Sequence, residues 1–283
     1  MNVLAPLSQK KEKPSAKLVG NALIGVLGSK GGTGATTLSV NLAAALSRSL
    51  PEETSVSLLD ANFHQPDAAL YLNCRPEHTL TELLSRAQNL EPHVVDACKN
   101  TVAGSDNLRL ITAPADGSAA TRQDRGELIA CLPHITASSA ITVIDLPRSL
   151  DKLLVMLLDH CHVITLLVEP TVASIAATRR WLAAFNDLEY PQEKIILAAN
   201  RLGSKAKLLE TQLSTSFASY PLVKLPNAFK SIEASQIEGI PLVCSNPRDA
   251  YAKSVNTLCQ EILIRIQSET ANSMHHSQSE GQQ

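Results

Sequence analysis

A glycine-rich stretch of the chain reads Gly28-Ser29-Lys30-Gly31-Gly32-Thr33-Gly34-Ala35-Thr36-Thr37, and it follows an apolar run over residues 22–27. The apolar run predicts a buried strand, and the residues after the stretch predict a helix with one apolar face. A glycine-rich turn between a strand and a helix is the context of a phosphate-binding loop, because backbone N–H groups and the helix N-terminus attract an anion. The sequence therefore predicts a phosphate site over residues 28–37.

The lysine of this loop stands at an unusual place. The common phosphate loop ends in Gly-Lys-Ser/Thr, whereas this one ends in Gly34-Ala35-Thr36 and carries its lysine earlier, at Lys30. Thr36 and Thr37 both stand where a hydroxyl would reach a bound Mg²⁺. The absence of a lysine at Ala35 removes a charge that stabilises a transferred phosphoryl group. Combined with Asn62, whose amide cannot accept a proton, it predicts slow hydrolysis or none.

Apolar strands alternate with helical segments along the rest of the chain. The strands are near-continuous apolar runs, which is typical of a parallel sheet covered on both faces. We therefore expect an α/β fold with a doubly wound, mostly parallel sheet and helices on both faces. Expected strands lie at 22–27, 55–60, 108–114, 140–145, 163–169, 194–201 and 222–225, and expected later helices lie at about 126–132, 150–160, 172–185, 204–216, 232–238 and 248–266.

Two of the expected strands end in an aspartate, at Asp60 and at Asp145. In a doubly wound sheet, ligands bind at the carboxyl ends of the strands. The glycine-rich loop also follows a strand end, so the sequence predicts that both acids lie at the edge of the sheet that carries the loop.

Composition limits the classes of protein that fit. The chain has 283 residues, a formal net charge of −2 and only 3% aromatic residues, so nothing indicates nucleic-acid binding. Its six cysteines are scattered and are expected to be reduced, although a disulfide framework is the alternative. No apolar run approaches the ~20 residues of a membrane helix, and we expect a cytoplasmic protein.

One domain is expected, with polar segments at both ends. Residues 1–19 carry a lysine cluster and are expected to form a flexible basic lead, and residues 20–267 to form the nucleotide-binding domain. Residues 268–283 are rich in Ser, Gln and His and are expected to be a disordered tail. The polar residues 115–125 are expected to be exposed.

Residues Lys30–Thr37 resemble the deviant Walker A motif of the ParA/MinD superfamily, Lys-Gly-Gly-x-Gly-Lys-Ser/Thr. Val143–Pro147 resembles its Walker B segment, and Asn200-Arg201 resembles its adenine-contacting strand end. The ending Gly-Ala-Thr-Thr is similar to one branch in particular, the CpaE/TadZ proteins of Tad (type IVc) pilus assembly. The resemblance extends to further segments at 58–63, 67–72, 78–84 and 234–241.

The resemblance implies a site for ATP and Mg²⁺ in a homodimer that closes face to face across two nucleotides. Lys30 would cross to the partner's nucleotide, and Asn62 replaces a second acid that helps to activate water. An amide orients water but cannot take its proton, and Asn62 as a loop residue without a role stays an alternative. The implied nucleotide-binding residues are Lys30, Gly31, Gly32, Thr33, Gly34, Ala35, Thr36, Thr37, Asn200 and Arg201. The implied metal-site residues are Thr36, Asp60 and Asp145.

The resemblance also implies a role, namely an ATP-dependent, dimerising localisation or assembly factor for a Tad pilus or a related secretion machinery. Its partners would be pilus or secretion assembly proteins, and those partners would also mediate any polar or inner-membrane position. Many relatives of this branch carry a receiver-like domain, which this chain is expected to lack. The alternatives are an ATPase that cycles between monomer and dimer, a nucleotide-free scaffold, and a ligase or reductase with the same fold.

Overall fold

The computed structural model describes residues 21–114, 126–203 and 207–280, with side chains described up to residue 268. The basic lead predicted over 1–19 and the exposed segment predicted over 115–125 lie outside the described residues. The strands are β1 Ala22–Gly28, β2 Val56–Asp60, β3 Asn100–Thr101, β4 Leu108–Thr112, β5 Ile141–Asp145, β6 Val163–Val168, β7 Ile195–Leu202 and β8 Leu222–Pro226.

The helices connect these strands and cover them. They are α1 Ala35–Ser49, α2 Ala68–Tyr71, α3 Leu80–Ser85, α4 Pro92–Ala97, α5 Glu127–Ala137, α6 Lys152–His160, α7 Val172–Asp187, α8 Lys207–Ser216, α9 Phe229–Glu238, α10 Leu242–Ser245 and α11 Ala250–Glu280. Two single 3₁₀ turns, Ala87–Asn89 and Gln192–Lys194, complete the described elements.

The described strands form one sheet in the order β3-β4-β2-β5-β1-β6-β7-β8. All neighbours are parallel except β3 and β4, which pair antiparallel at the edge. Successive residues of β1 enter opposite apolar layers. Leu23 and Leu27 pack with α3 to α7, whereas Ile24 and Val26 pack with α1 and α11. The predicted doubly wound, mostly parallel sheet with helices on both faces is therefore confirmed.

The strand order brings the candidate residues to one edge of the sheet. Asp60 and Asp145 are aligned at the ends of the neighbouring strands β2 and β5. β1, which leads into the glycine-rich loop, pairs with the other side of β5. Parallel pairing thus places the loop and both acids at the same carboxyl edge, as the sequence predicts.

Several elements differ from the sequence prediction. Helix α4 and strand β3 lie in the mixed segment 86–107, and α10 follows the predicted helix of residues 232–238; none of the three is predicted. Helix α5 continues past Pro133, because Leu132 and Ile135 on either side of it are buried against the sheet. Helix α9 begins at Phe229, three residues before its predicted start.

The last helix is the largest difference. Its predicted end is residue 266, whereas α11 continues to Glu280 through residues that the sequence predicts to be disordered. Residues 267–280 contain neither proline nor glycine, so no residue in this segment breaks the helical backbone. The polar composition that favours disorder is therefore compatible with the extension of a helix that is anchored in the core by Leu258 and Ile262.

All six cysteines are free. Among the helices of the described segments, none combines the length and the apolar character needed to cross a membrane.

Candidate functional site

A cleft of about 780 Å³ lies at the carboxyl edge of the sheet. It is bordered by the glycine-rich loop, by the segments that follow β2 and β5, by the ends of β7 and β8, and by α9. The predicted site residues that line it are Lys30, Gly32, Thr33, Gly34, Ala35, Thr36, Thr37, Asn62, Asp145, Asn200 and Arg201. Of the remaining two, Gly31 lies in the same loop, and Asp60 is fully buried beside Asp145. The structure thus brings together the residues that the sequence predicts.

The backbone of the loop requires glycine at two positions. Gly32 and Gly34 have φ values of 77° and 92°, in the left-handed region that L side chains rarely adopt. A side chain at position 34 would also lack space, since its Cβ would lie 2.8 Å from Asn200 Nδ2. Helix α1 begins directly after it, at Ala35, so the free N–H groups of the first helical turn lie at the cleft.

Buried hydrogen bonds connect the glycine-rich loop to the neighbouring elements of the fold. Asn200 Nδ2 donates to the Thr33 carbonyl oxygen (2.7 Å), and Trp181 Nε1 donates to the Ser29 carbonyl oxygen (3.2 Å). The hydroxyls of Ser29 and Ser174 are 3.0 Å apart. The loop is therefore fixed to β7 and α7 as well as to its own strand and helix.

Asn200 is predicted to contact adenine, but both polar atoms of its side chain already form hydrogen bonds within the protein. Its Oδ1 accepts from the backbone N–H of Arg201 (2.9 Å) while its Nδ2 holds the loop. The Arg201 guanidinium forms an ion pair with Glu169, with 2.7 Å between Nη1 and Oε1. Both residues line the cleft, but each side chain already has a partner within the protein.

The two acids at the strand ends are buried and fully hydrogen-bonded. Asp145 accepts from the Thr36 hydroxyl (2.7 Å) and from the Ser39 hydroxyl (2.9 Å). Asp60 accepts from the backbone N–H groups of Asn62 (3.0 Å) and Ala68 (3.1 Å). Every side-chain oxygen of the pair thus accepts a hydrogen bond.

Burial disfavours the ionised form of both acids. It raises the pKa of Asp145 to about 6, although the hydrogen bonds from Thr36 and Ser39 oppose the shift. Burial and the neighbouring charge of Asp145 raise the pKa of Asp60 well above its usual value. A cation between the two acids would relieve both effects, and a set of carboxylate and hydroxyl oxygens suits Mg²⁺.

The structure distinguishes the two threonines that the sequence leaves equivalent. Thr36 points to Asp145, whereas the Thr37 hydroxyl accepts from Gln236 Nε2 of α9 (3.2 Å). The sequence analysis missed Ser39, which lies on the same face of α1 as Thr36; that spacing of three residues is the available signal. It also missed Trp181 and Gln236, which reach the loop only through tertiary packing.

Lys30 and Asn62 have free side chains. Lys30 is exposed at the cleft, and its ammonium has no hydrogen-bond or ion-pair partner in the part of the chain that the structure describes. The Asn62 side chain is half-buried at the cleft and likewise has no described partner. Both remain available to a bound molecule or to a second chain.

Comparisons with known proteins agree with this architecture. No family model matches the chain. An uncharacterised ATP-binding protein of Methanocaldococcus jannaschii is 21% identical over 241 residues, which cover 85% of this chain and 87% of that protein.

Two solved structures are similar over nearly their whole length. A ParA family ATPase from Chlorobium tepidum has a TM-score of 0.74 and 21% identity, with 85% of this chain and 99% of that chain covered. The septum site-determining protein MinD from Pyrococcus horikoshii, solved with Mg-ADP, has a TM-score of 0.70 and 20% identity, with 85% and 95% covered. The chain therefore has the fold of the ParA/MinD P-loop NTPases.

The raised pKa of Asp145 predicts a pH-dependent effect of the Asp145→Asn substitution. An aspartate has a pKa of about 3.9 in the unfolded chain, so between pH 4 and about 6 the folded state holds more protons at this position than the unfolded state. This carboxyl group therefore contributes less to stability as the pH rises through that window. The asparagine amide that replaces this carboxyl group cannot ionise, so the variant does not lose stability in this way.

We expect the free energy of unfolding of the Asp145→Asn variant, relative to wild type, to increase by about 2 kcal/mol from pH 4.5 to pH 7.5. Urea unfolding of both proteins in EDTA measures this difference. A relative stability that stays constant or falls over the same range contradicts the raised pKa.

The contact between Asn200 and Thr33 predicts that Asn200→Ala loosens the loop. A buried carbonyl oxygen then loses its donor, at a cost of about 1–3 kcal/mol. We expect faster amide hydrogen exchange over residues 29–34, measured by mass spectrometry. Asn246→Ala, at an exposed loop asparagine, is the matched control. Equal exchange in the two variants would show that Asn200 does not hold the loop.

Proposed function

We propose that this chain binds ATP and Mg²⁺ in the cleft at the carboxyl edge of the sheet. The observation that carries the proposal is the hydrogen bond from Thr36, at the start of α1, to the buried Asp145 at the end of β5. The loop N–H groups would hold the phosphates, because the loop lines the cleft and leads into a helix N-terminus. Thr36, Asp145 and Asp60 would hold Mg²⁺, which supplies positive charge to the phosphate oxygens when bound. Asn200 and Arg201 would lie beside the adenine ring of the nucleotide.

The known proteins support this assignment. The relative from M. jannaschii is named an ATP-binding protein, and the structurally similar MinD was solved with Mg-ADP. Those properties belong to the other proteins, and they favour the same ligands in a cleft that has the corresponding elements. In this chain, the glycine-rich loop and the two buried acids are the features that favour these ligands.

Slow hydrolysis follows from two residues. Ala35 offers no ammonium group to the transferred phosphoryl group, and the Asn62 amide can orient a water molecule without accepting its proton. We propose that ATP serves mainly to join two copies, with Lys30 of each copy reaching the nucleotide of the other. The exposure of Lys30 at the cleft and its lack of a partner within the described residues support this role.

The cellular role rests on the sequence resemblance to the CpaE/TadZ branch. We propose that the ATP-bound dimer is a localisation or assembly factor for a Tad pilus or a related secretion machinery, acting in the cytoplasm through partner proteins. An ATPase that cycles between monomer and dimer is the second candidate, and the free ammonium of Lys30 is the observation that favours it. A nucleotide-free scaffold is the third.

Lys30→Ala tests the role of the lysine in dimerisation. With Mg-ATP, the wild type is expected to be a dimer and the variant a monomer, because the variant loses the cation that joins the two sites. Light scattering coupled to size-exclusion chromatography measures the mass. Lys253→Ala, at an exposed lysine of α11 that does not line the cleft, should dimerise like the wild type. A Lys30→Ala dimer with ATP would refute the proposed contact.

Steady-state ATP turnover distinguishes a binding protein from a cycling ATPase. We expect a rate near background for the wild type, because neither Ala35 nor Asn62 can supply the missing charge or base. A turnover of about one per second, in the range of ordinary kinases, would favour the cycling ATPase. The absence of ATP binding would favour the scaffold.

The pilus assignment has a separate test. Genes for a secretion ATPase and a prepilin beside the gene for this chain would support it. Their absence, together with a deletion strain that assembles pili normally, would contradict it while leaving the nucleotide site unaffected.

A further inference from the structure

Arg148 lies against the glycine-rich loop, although the sequence analysis does not place it at the site. A Cβ atom on Gly31 would collide with Arg148 Nη1 and would lie 3.1 Å from Cζ and 3.4 Å from Nη2. The whole guanidinium group therefore covers the loop at this residue. Gly31 does not have a positive φ, so its backbone conformation does not by itself require glycine.

The guanidinium group has no partner of its own. Within the described residues, Arg148 forms no hydrogen bond and no ion pair. The other arginine that lines the cleft, Arg201, is paired with Glu169. Arg148 thus presents five unused N–H donors at the cleft, in the planar arrangement that matches phosphate oxygens.

The chain before and after Arg148 is anchored. Asp145 is held by Thr36 and Ser39, and the backbone N–H of Leu146 donates to the Val26 carbonyl oxygen (3.0 Å). Three residues after Arg148, the Asp151 carboxylate caps α6 by accepting from the N–H of Leu154 (3.0 Å). The short segment between these anchors keeps Arg148 beside the loop.

We propose that Arg148 binds the terminal phosphate of the nucleotide in its own subunit and supplies the cation that the loop lacks at Ala35. The proposal rests on the proposed binding of ATP. Ala35 lines the cleft without a charge, and Arg148 brings a charge to the same loop from the end of the neighbouring strand β5. A guanidinium group binds a phosphate through two parallel hydrogen bonds, so it contributes both affinity and orientation.

A cation at the terminal phosphate discriminates between nucleotides. ATP would contact Arg148, whereas ADP lacks the phosphate that the guanidinium group recognises. Loss of one charge-assisted contact corresponds to about a tenfold to hundredfold loss of affinity. The effect should therefore be large for ATP and small for ADP.

Calorimetric titration with Mg-ATP and Mg-ADP tests the proposal in four proteins: the wild type, Arg148→Ala, Arg180→Ala and the double variant Ala35→Lys/Arg148→Ala. We expect Arg148→Ala to lose about tenfold to hundredfold in ATP affinity while its ADP affinity stays close to that of the wild type. Arg180 is an exposed arginine of α7 outside the cleft, and its variant should bind both nucleotides like the wild type. The lysine of the double variant should restore ATP affinity.

The outcomes separate this proposal from the proposed function. If the wild type binds ATP and Arg148→Ala binds it equally well, Arg148 has no phosphate contact, although the nucleotide site stands. If Arg148→Ala binds ATP more tightly, the guanidinium group obstructs the cleft, and the proposal is wrong. If the wild type binds neither nucleotide, both proposals fail. Arg148 is exposed, so its replacement is not expected to prevent folding, and thermal unfolding of each variant verifies this.

Discussion

The hydrogen bond between Thr36 and Asp145 is the contact on which the rest of the site depends. It joins the first turn of α1 to the end of β5 at a distance of 2.7 Å, and it uses a carboxylate that burial would otherwise neutralise. Since α1 follows the glycine-rich loop directly, this contact also joins the end of the loop to β5. A buried acid with a raised pKa is costly to ionise unless a cation compensates it. A cation bound there, as proposed, would offset that cost.

The parts of the site that a local pattern specifies could be predicted from the sequence. The apolar run before Gly28 and the glycines after it predict the strand, the loop and the helix, and the two strand-like runs that end in an aspartate place Asp60 and Asp145. The sheet order then brings these residues to one edge, because parallel strands have their carboxyl ends on the same side. Each of these inferences needs only a short segment of the chain.

The parts that depend on tertiary packing could not be predicted. Trp181 reaches Ser29 only because α7 packs beside the β1–β6 pair, and periodicity along α7 carries no information about that neighbour. Arg148 lies against Gly31 of the loop because of the path that the chain takes after β5, and no sequence motif specifies that path. Helix α4 and strand β3 are too short to show a period. The extension of α11 was missed because composition indicates disorder while the absence of helix breakers permits a helix.

Binding and hydrolysis of a nucleotide would depend on different side chains of this cleft. The loop has no ammonium group at Ala35, and two of the cations that line the cleft, Lys30 and Arg148, have no partner among the described residues. Under the proposed function, the cleft holds a nucleotide and cleaves it slowly, because the Asn62 amide cannot accept a proton from the attacking water. The most direct test is equilibrium binding of ATP to the wild-type chain in Mg²⁺ and in EDTA. Our account predicts saturable binding of one nucleotide per chain that weakens in EDTA. It is contradicted if no saturable binding occurs up to about 1 mM ATP, which corresponds to a binding free energy of about −4 kcal/mol.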